Sequence, residues 1–426
     1  MQLERQLDKQ HMALTKWILI LALVVFTMEN GIISAVYNAE IIFWHHLPIT
    51  QNNQKNKKRK FGMKHIGLVM ECDYRIGSTQ EEAFAEAFTL ADTAEKYGID
   101  GVWLAERHFA AHKGPTDPMG GSIPSVASVP LVMATAIAAR TQNIKIATGV
   151  SVLPLCHPIR LAEEAATLDH ISKGRLIFGI GRSSFPKSYQ GYGVPYSESR
   201  DIFQESLEII LKAWNDEKLN HKGKYYEFED VSVMPQPYQT PHPPIVIAAN
   251  TPDTFPVVGT QGFPLATGLR GSDIKNTGKS LQLYKDAWKA AGHPGEPEIY
   301  MRIPVYVHEN PELARENPRQ GAINAFDRQA QNAVNAVKAA GPNDAENLAR
   351  RAQALSSLTY DDLLEGRLAY GTPEQVIEKL RYAEEEMGIT GIIMEPNVGG
   401  LLTKEQINES VALVALKVSP KLKTRV

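Results

Sequence analysis

The chain has 426 residues and a mass of 47.1 kDa, more than one ordinary domain needs but within reach of a single large α/β barrel. Hydrophobic residues are 43%, charged residues 22% and aromatic residues 8%, a balance that excludes a disordered or fibrous chain. The formal charge of −3 gives no general reason to expect nucleic acid. Two cysteines, Cys72 and Cys156, exclude a disulfide framework or a cysteine-rich zinc site, so a cytoplasmic location is the default.

Residues 1–62 read as an extension foreign in composition to the remainder of the chain. They carry eight Lys/Arg against four Asp/Glu, a net of +4, which leaves −7 for residues 63–426. An apolar run from Trp17 to Met28 is shorter than the roughly 20 residues a membrane span needs, and the basic tract QNNQKNKKRK comes after it. Three readings compete: translation begins at Met63, the segment is a leader or membrane anchor, or it folds onto the main domain. A cytoplasmic chain is expected, with membrane association through these residues alone as the alternative.

From Met63 the chain alternates between short β-branched runs and helical patterns, the signature of βαβ units around a parallel sheet. Strands are predicted at 65–70, 101–105, 144–150, 175–180, 244–249, 263–268, 301–307 and 390–396. Helices are predicted to begin near Thr79, Val129, Arg160, Ser199, Asp253, Asp273, Pro311 and Thr372. Gly98 and Gly388 read as helix stops, and Thr372-Pro373 as a cap with proline at the first helical position. Eight such pairs in 63–426 predict a (β/α)₈ TIM barrel, with a doubly wound open sheet as the alternative. Two excursions interrupt the pattern. Lys222 to Pro244 predicts a small hairpin and a proline-rich loop, and Asn310 to Ala369 a helical insertion after the seventh strand. The insertion reads either as a lid over the site or as a decoration.

Active sites of such barrels stand at the C-terminal strand ends, and these single out a few groups. Glu106-Arg107-His108 after the second strand reads as acid–base machinery or as an Arg–Glu pair closing the rim with His108 capping it. His108 and His112 have metal spacing but lack the glutamate that would complete a site, so no metal is expected. After the fourth strand, Gly179 and Gly181 begin a dinucleotide fingerprint that lacks its third glycine. Pro186 and Gly191 are read as keeping the next segment a loop. Bare backbone at Gly181 beside Arg182, with Arg200 further on, suits a phosphate. Asn250-Thr251-Pro252-Asp253-Thr254 after the fifth strand reads as an anion seat or as a simple helix cap. Cys156 reads as a packed thiol rather than a nucleophile.

The stretches TGVSVLPLCHPIRLAEEAATLDHISKGRLIFGIGRS (148–183), GIDGVWLAERHF (98–109) and YGTPEQVIEKL (370–380) resemble the bacterial luciferase-like flavin monooxygenases, and the similarity runs from Met63 to about the C-terminus. The resemblance implies a (β/α)₈ barrel that forms a homodimer and binds reduced FMN, or in some members a deazaflavin, at its mouth. It implies a non-prolyl cis peptide at Gly149-Val150 and phosphate contacts from Arg182, Thr251 and Thr254, with Arg200 nearby. Asn250 stands where the luciferases have an acid. Their EHH motif puts the catalytic histidine where this chain has Arg107, which cannot give up its proton at neutral pH, so His108 becomes the candidate for acid–base work. The expected activity is a two-component monooxygenase acting on paired donors. A separate flavin reductase supplies reduced FMN, and O₂ oxidises a small organic substrate. The alternatives are a deazaflavin-dependent hydride-transfer oxidoreductase and a non-catalytic flavin-binding protein.

Overall fold

The computed structural model describes residues 62–73, 78–109, 125–183, 185–269, 271–339, 349 and 352–423. All of the N-terminal extension except Gly62 lies outside them, as do His112 and Ser184.

The eight predicted barrel strands are present. They are β1 (His65–Met70), β2 (Gly101–Leu104), β3 (Lys145–Thr148), β4 (Leu176–Gly181), β5 (Ile245–Ala248), β6 (Leu265–Gly268), β7 (Ile299–Val307) and β8 (Gly391–Glu395). They pair in chain order, all parallel, and β8 returns to β1 with His65 opposite Gly391, which closes the barrel. Each strand sends one large or small apolar side chain to the axis: Val69, Trp103, Ala147, Ile177, Val246, Ala266, Tyr300 and Ile393. The opposite strand faces pack against helices, so the strands are buried on both sides and read as apolar runs.

The outer helices are α1 (Gln80–Tyr97), α2 (Pro130–Arg140), α3 (Pro158–Ser172), α4 (Ser199–Asn215), α5 (Thr254–Gln261), α6 (Ile274–Ala290), α7 (Pro373–Met387) and α8 (Lys404–Leu413). Local chemistry sets several of their ends. Thr79 and Glu82 form a capping box before α1, and Gly98 ends it in the left-handed conformation. Thr372 caps α7, Pro373 occupies its first turn, and Gly388 closes it. Among the described residues, no helix is long and apolar enough to cross a membrane.

Four expectations need correction. The third strand ends at Thr148 rather than continuing to 150, and Ser151–Val152 is a separate short pairing with β4. Pro186–Tyr192 is a helix, not a loop, because proline at the first position is compatible with helix and Gly193 supplies the stop. The hairpin begins at Leu219, since Leu219 and His221 bury alternate side chains ahead of Lys222. Finally, α8 is absent from the predicted helices, although Thr403 and Gln406 form a capping box at its start. The insertion after β7 does contain extra helices, Pro311–Glu316, Arg319–Ala339 and Tyr360–Gly366. A Cβ on Gly321 would lie 2.5 Å from the Val398 carbonyl oxygen, so the long insertion helix runs backbone to backbone against the loop after β8.

Candidate functional site

Four charged side chains form one network, three from the ends of β1, β2 and β8 and Arg302 from within β7. Arg107 Nε and Arg302 Nη2 donate to different oxygens of Glu71, and Arg302 also donates to Glu395 at 2.8 and 3.0 Å. Parallel register explains the meeting: Met70 lies opposite Leu104, and Arg302 opposite Ile393, two residues before Glu395 on the same strand face, so residues far apart in sequence come within reach of one another. The side chains of Glu71 and Glu395 are 8% and 3% exposed, a depth at which a carboxylate needs a cation. Burial alone would lower the Arg107 pKa, but the charge and hydrogen bond of Glu71 outweigh it and carry the guanidinium above its ordinary value. Arg107 is thus a fixed cation whose rim partner is Glu71, where the sequence suggested Glu106.

Glu106 and His108 turn the other way, toward the ends of β3 and β4. Glu106 Oε2 accepts the Val152 backbone N–H at 3.0 Å, and its Oε1 lies 2.7 Å from His108 Nε2. The second imidazole nitrogen, Nδ1, is 3.1 Å from the Tyr192 hydroxyl, which the helix Pro186–Tyr192 brings over it. Glu106, Arg107 and His108 therefore split into two systems, a charge network and a carboxylate–imidazole–phenol chain.

The third group lies beside them. The Gly149–Val150 peptide bond is cis. Gly181 ends β4 against it, and a Cβ there would stand 2.8 Å from the Val150 side chain and 3.6 Å from Ala248, so only glycine leaves that floor open. Next in the chain, Arg182 Nη1 donates to the Ser199 hydroxyl at 3.1 Å, and the Tyr189 hydroxyl donates to the Arg182 carbonyl. Arg200, one residue into α4, is exposed. Across the β4–β5 pairing, Thr251 Oγ1 and Thr254 Oγ1 stand 2.7 Å apart at the start of α5. That helix has no side-chain hydrogen bond at its N-cap, which removes the simple-cap reading; its first N–H, that of Thr254, donates to the Thr251 carbonyl at 3.0 Å, and Pro256 has none to offer. Asn250 is committed elsewhere: its Oδ1 accepts from Thr267 Oγ1 at 3.2 Å and Gly268 N at 3.1 Å, tying β5 to β6.

A guanidinium and two hydroxyls on adjacent strand ends can hold a doubly charged anion, while the Glu106–His108–Tyr192 chain can move a proton. Sequence reasoning missed Glu71, Arg302, Glu395, Ser199 and Tyr192. For Arg302 and Glu395 a signal existed, a charge within an otherwise apolar barrel strand. Burial pushes the Cys72 and Cys156 thiols up to about 12, which fits packed thiols and not nucleophiles. Among the described residues, no group of three or more His, Cys, Asp or Glu side chains could hold a metal ion.

Comparison with known proteins gives the same placement. The family model described as luciferase-like monooxygenase matches residues 65–391. The alkanal monooxygenase alpha chain of Photobacterium leiognathi is 26% identical over 361 residues, 82% of this chain and 96% of that protein. The oxygenase component of a flavin-dependent trigonelline monooxygenase from Acinetobacter baylyi is 28% identical over 240 residues, 56% of this chain and 63% of that protein. Against an uncharacterised Sinorhizobium fredii protein, 32% identical over 190 residues and 45% of this chain, the match spans about half of the relative, 52% of its length. Among solved structures, the monooxygenase RslO1 of Streptomyces bottropensis superposes with a TM-score of 0.68 at 26% identity, covering 84% of this chain and 99% of that one. The fold is also shared, at 18% identity and a TM-score of 0.62 over 84% of this chain and 98–99% of theirs, by a coenzyme F420-dependent tetrahydromethanopterin reductase from Methanopyrus kandleri and an F420-dependent secondary alcohol dehydrogenase, the latter over 83% of this chain. The match to the family model over most of the chain, on a barrel of the same architecture, shows that this chain belongs to the luciferase-like monooxygenase family.

Proposed function

We propose that the chain is the oxygenase of a two-component flavin-dependent monooxygenase, which uses reduced FMN and O₂ to oxidise a small organic substrate. One observation carries the reading: the guanidinium of Arg182 and the hydroxyls of Thr251 and Thr254, set beside the bare Gly181 backbone that faces Val150. These groups would hold the phosphate and let a flat ring lie close to backbone. Arg200 would add charge at the entrance. Bound reduced flavin supplies the electrons that activate O₂ for transfer to substrate. The protein binds and orients it, excludes water, and presents the Arg107 cation and the His108 chain to the reacting region. A separate reductase is supported by the missing nicotinamide fingerprint and by the A. baylyi relative, which is named an oxygenase component. A homodimer belongs to the same reading.

The F420-dependent neighbours favour hydride transfer with a deazaflavin as the second reading. Fluorescence titration with FMN and F420 separates the two, and oxygen uptake with reduced FMN against a panel containing trigonelline and straight-chain alkanals tests turnover. The expected result is FMN binding and substrate-stimulated oxygen uptake. Arg182→Ala should lose about 1.5–3 kcal/mol of FMN binding, the range of a charge-assisted hydrogen bond, or roughly 10- to 150-fold in affinity. Unchanged affinity removes the anion seat. Tight F420 binding without FMN binding replaces the first reading with the second, and FMN binding without turnover of any compound leaves a flavin-binding protein.

A further inference from the structure

We propose that Tyr192 is the proton-carrying group that meets the reactant, at the outer end of a relay running Glu106–His108–Tyr192. The inference rests on the reading of the barrel mouth as the reaction site and adds a residue that the family motif around Glu106 does not contain.

The order of the relay follows from donor and acceptor chemistry. A carboxylate can only accept, so His108 Nε2, 2.7 Å from Glu106 Oε1, carries the imidazole proton. Nδ1 is then the lone-pair nitrogen, and the Tyr192 hydroxyl at 3.1 Å donates to it. Glu106 cannot swing away, because its other oxygen holds the Val152 N–H. Exposure separates the roles. The side chains of Glu106 and His108 are 4% and 8% exposed, whereas Tyr192 is 49% exposed. The imidazole is sealed beneath the phenol, with the two rings edge to face at 4.8 Å, so a reactant at the mouth reaches Tyr192 and not His108.

In the basic direction a proton of the reactant passes to Tyr192 Oη while the tyrosine proton moves to His108 Nδ1. The product is an imidazolium paired with the Glu106 carboxylate and an unchanged phenol, and the acidic direction reverses both transfers. Two ionisable groups near the relay stay protonated: Cys156 is pushed up to about 12 and Tyr189 to about 12, chiefly by burial. Burial, with the charge of Glu106, also holds Tyr192 above its ordinary value, which keeps it a donor at neutral pH.

The first test needs no cofactor. Imidazole ¹⁵N NMR of the flavin-free chain, with His108 assigned by the signal lost in His108→Asn, should show the Nε2–H tautomer. Tyr192→Phe should then shift the Nδ1 resonance. The Nδ1–H tautomer, or a resonance indifferent to Tyr192→Phe, overturns the relay. The second test uses whichever panel compound turns over. Tyr192→Phe should lower kcat by about 10²-fold with FMN affinity unchanged. The His108→Asn/Tyr192→Phe double variant should fall no further than the worse single, because groups acting as one unit are not additive. Full kcat in Tyr192→Phe, or losses that multiply, overturns the proposal. If the unaltered chain turns over nothing, the proposed function fails, while the NMR result still decides the relay.

Discussion

His65 offers a sharp test of how the barrel is held, because its stability contribution can be worked out from the structure. It lies buried at the start of β1, where Trp103 Nε1 donates to its Nε2 at 3.0 Å and the rings of Trp103 and Tyr300 stand edge-on at 5.8 and 5.5 Å. Nε2 can accept only if it is unprotonated, so the native ring is neutral. Burial pushes its pKa down from 6.5 to about 4, against the pull of Asp100. A base with a depressed folded pKa binds its proton more readily in the unfolded chain. Its stability contribution is therefore complete above pH 6.5 and lost as the pH falls toward 4. A difference of about 2.5 units at 1.36 kcal/mol each is about 3 kcal/mol. His65→Gln keeps an oxygen acceptor for Trp103 and does not titrate. Urea unfolding of both chains between pH 7 and 4 checks the point, since the carboxylates that drive acid unfolding are common to both. The stability gap should shift by about 3 kcal/mol in favour of His65→Gln across that window. Parallel curves would refute the neutral, buried imidazole.

Two further outcomes concern the mouth and the thiols. Glu71→Gln leaves Arg302 its Glu395 partner but strips Arg107 of its carboxylate, and removing one member of a buried pair costs about 3 kcal/mol. Its urea midpoint should fall clearly below that of the unaltered chain, and an equal midpoint means that the network is solvated. Cys72 and Cys156, with thiols pushed up to about 12, should resist iodoacetamide at pH 8 while folded, and Cys156→Ser should keep substrate turnover. Stoichiometric labelling of the native chain would contradict the buried placement of Cys72 and the half-buried one of Cys156.

The sequence reveals what depends on local pattern and hides what depends on register. Strands buried on both faces appear as unbroken apolar runs, so all eight barrel strands are legible, and their order gives the closed sheet. Helix ends are legible where a cap and a stop coincide, as at Thr79 and Gly98. Proline misleads once, since Pro186 reads as a breaker although its place at the first turn starts the helix that carries Tyr192. The residues proposed for the anion seat are visible because Arg182 comes directly after β4 and Thr251 three residues after the end of β5. The partner of Arg107 is not. Adjacency points to Glu106, yet parallel pairing sets the end of β2 beside the end of β1, and Arg302 and Glu395 arrive from strands more than 190 residues away in sequence. A local argument can still reach part of that network. A charge within or ending a strand that packs on both faces is tolerated where an opposite charge meets it, so Arg302 in IYMRIPVYV and Glu395 at the end of GIIME predict each other once the barrel is assumed. Charged exceptions in apolar barrel strands therefore locate the mouth before any pairing is known, and motif residues such as Glu106 and His108 gain their roles from what those exceptions leave free.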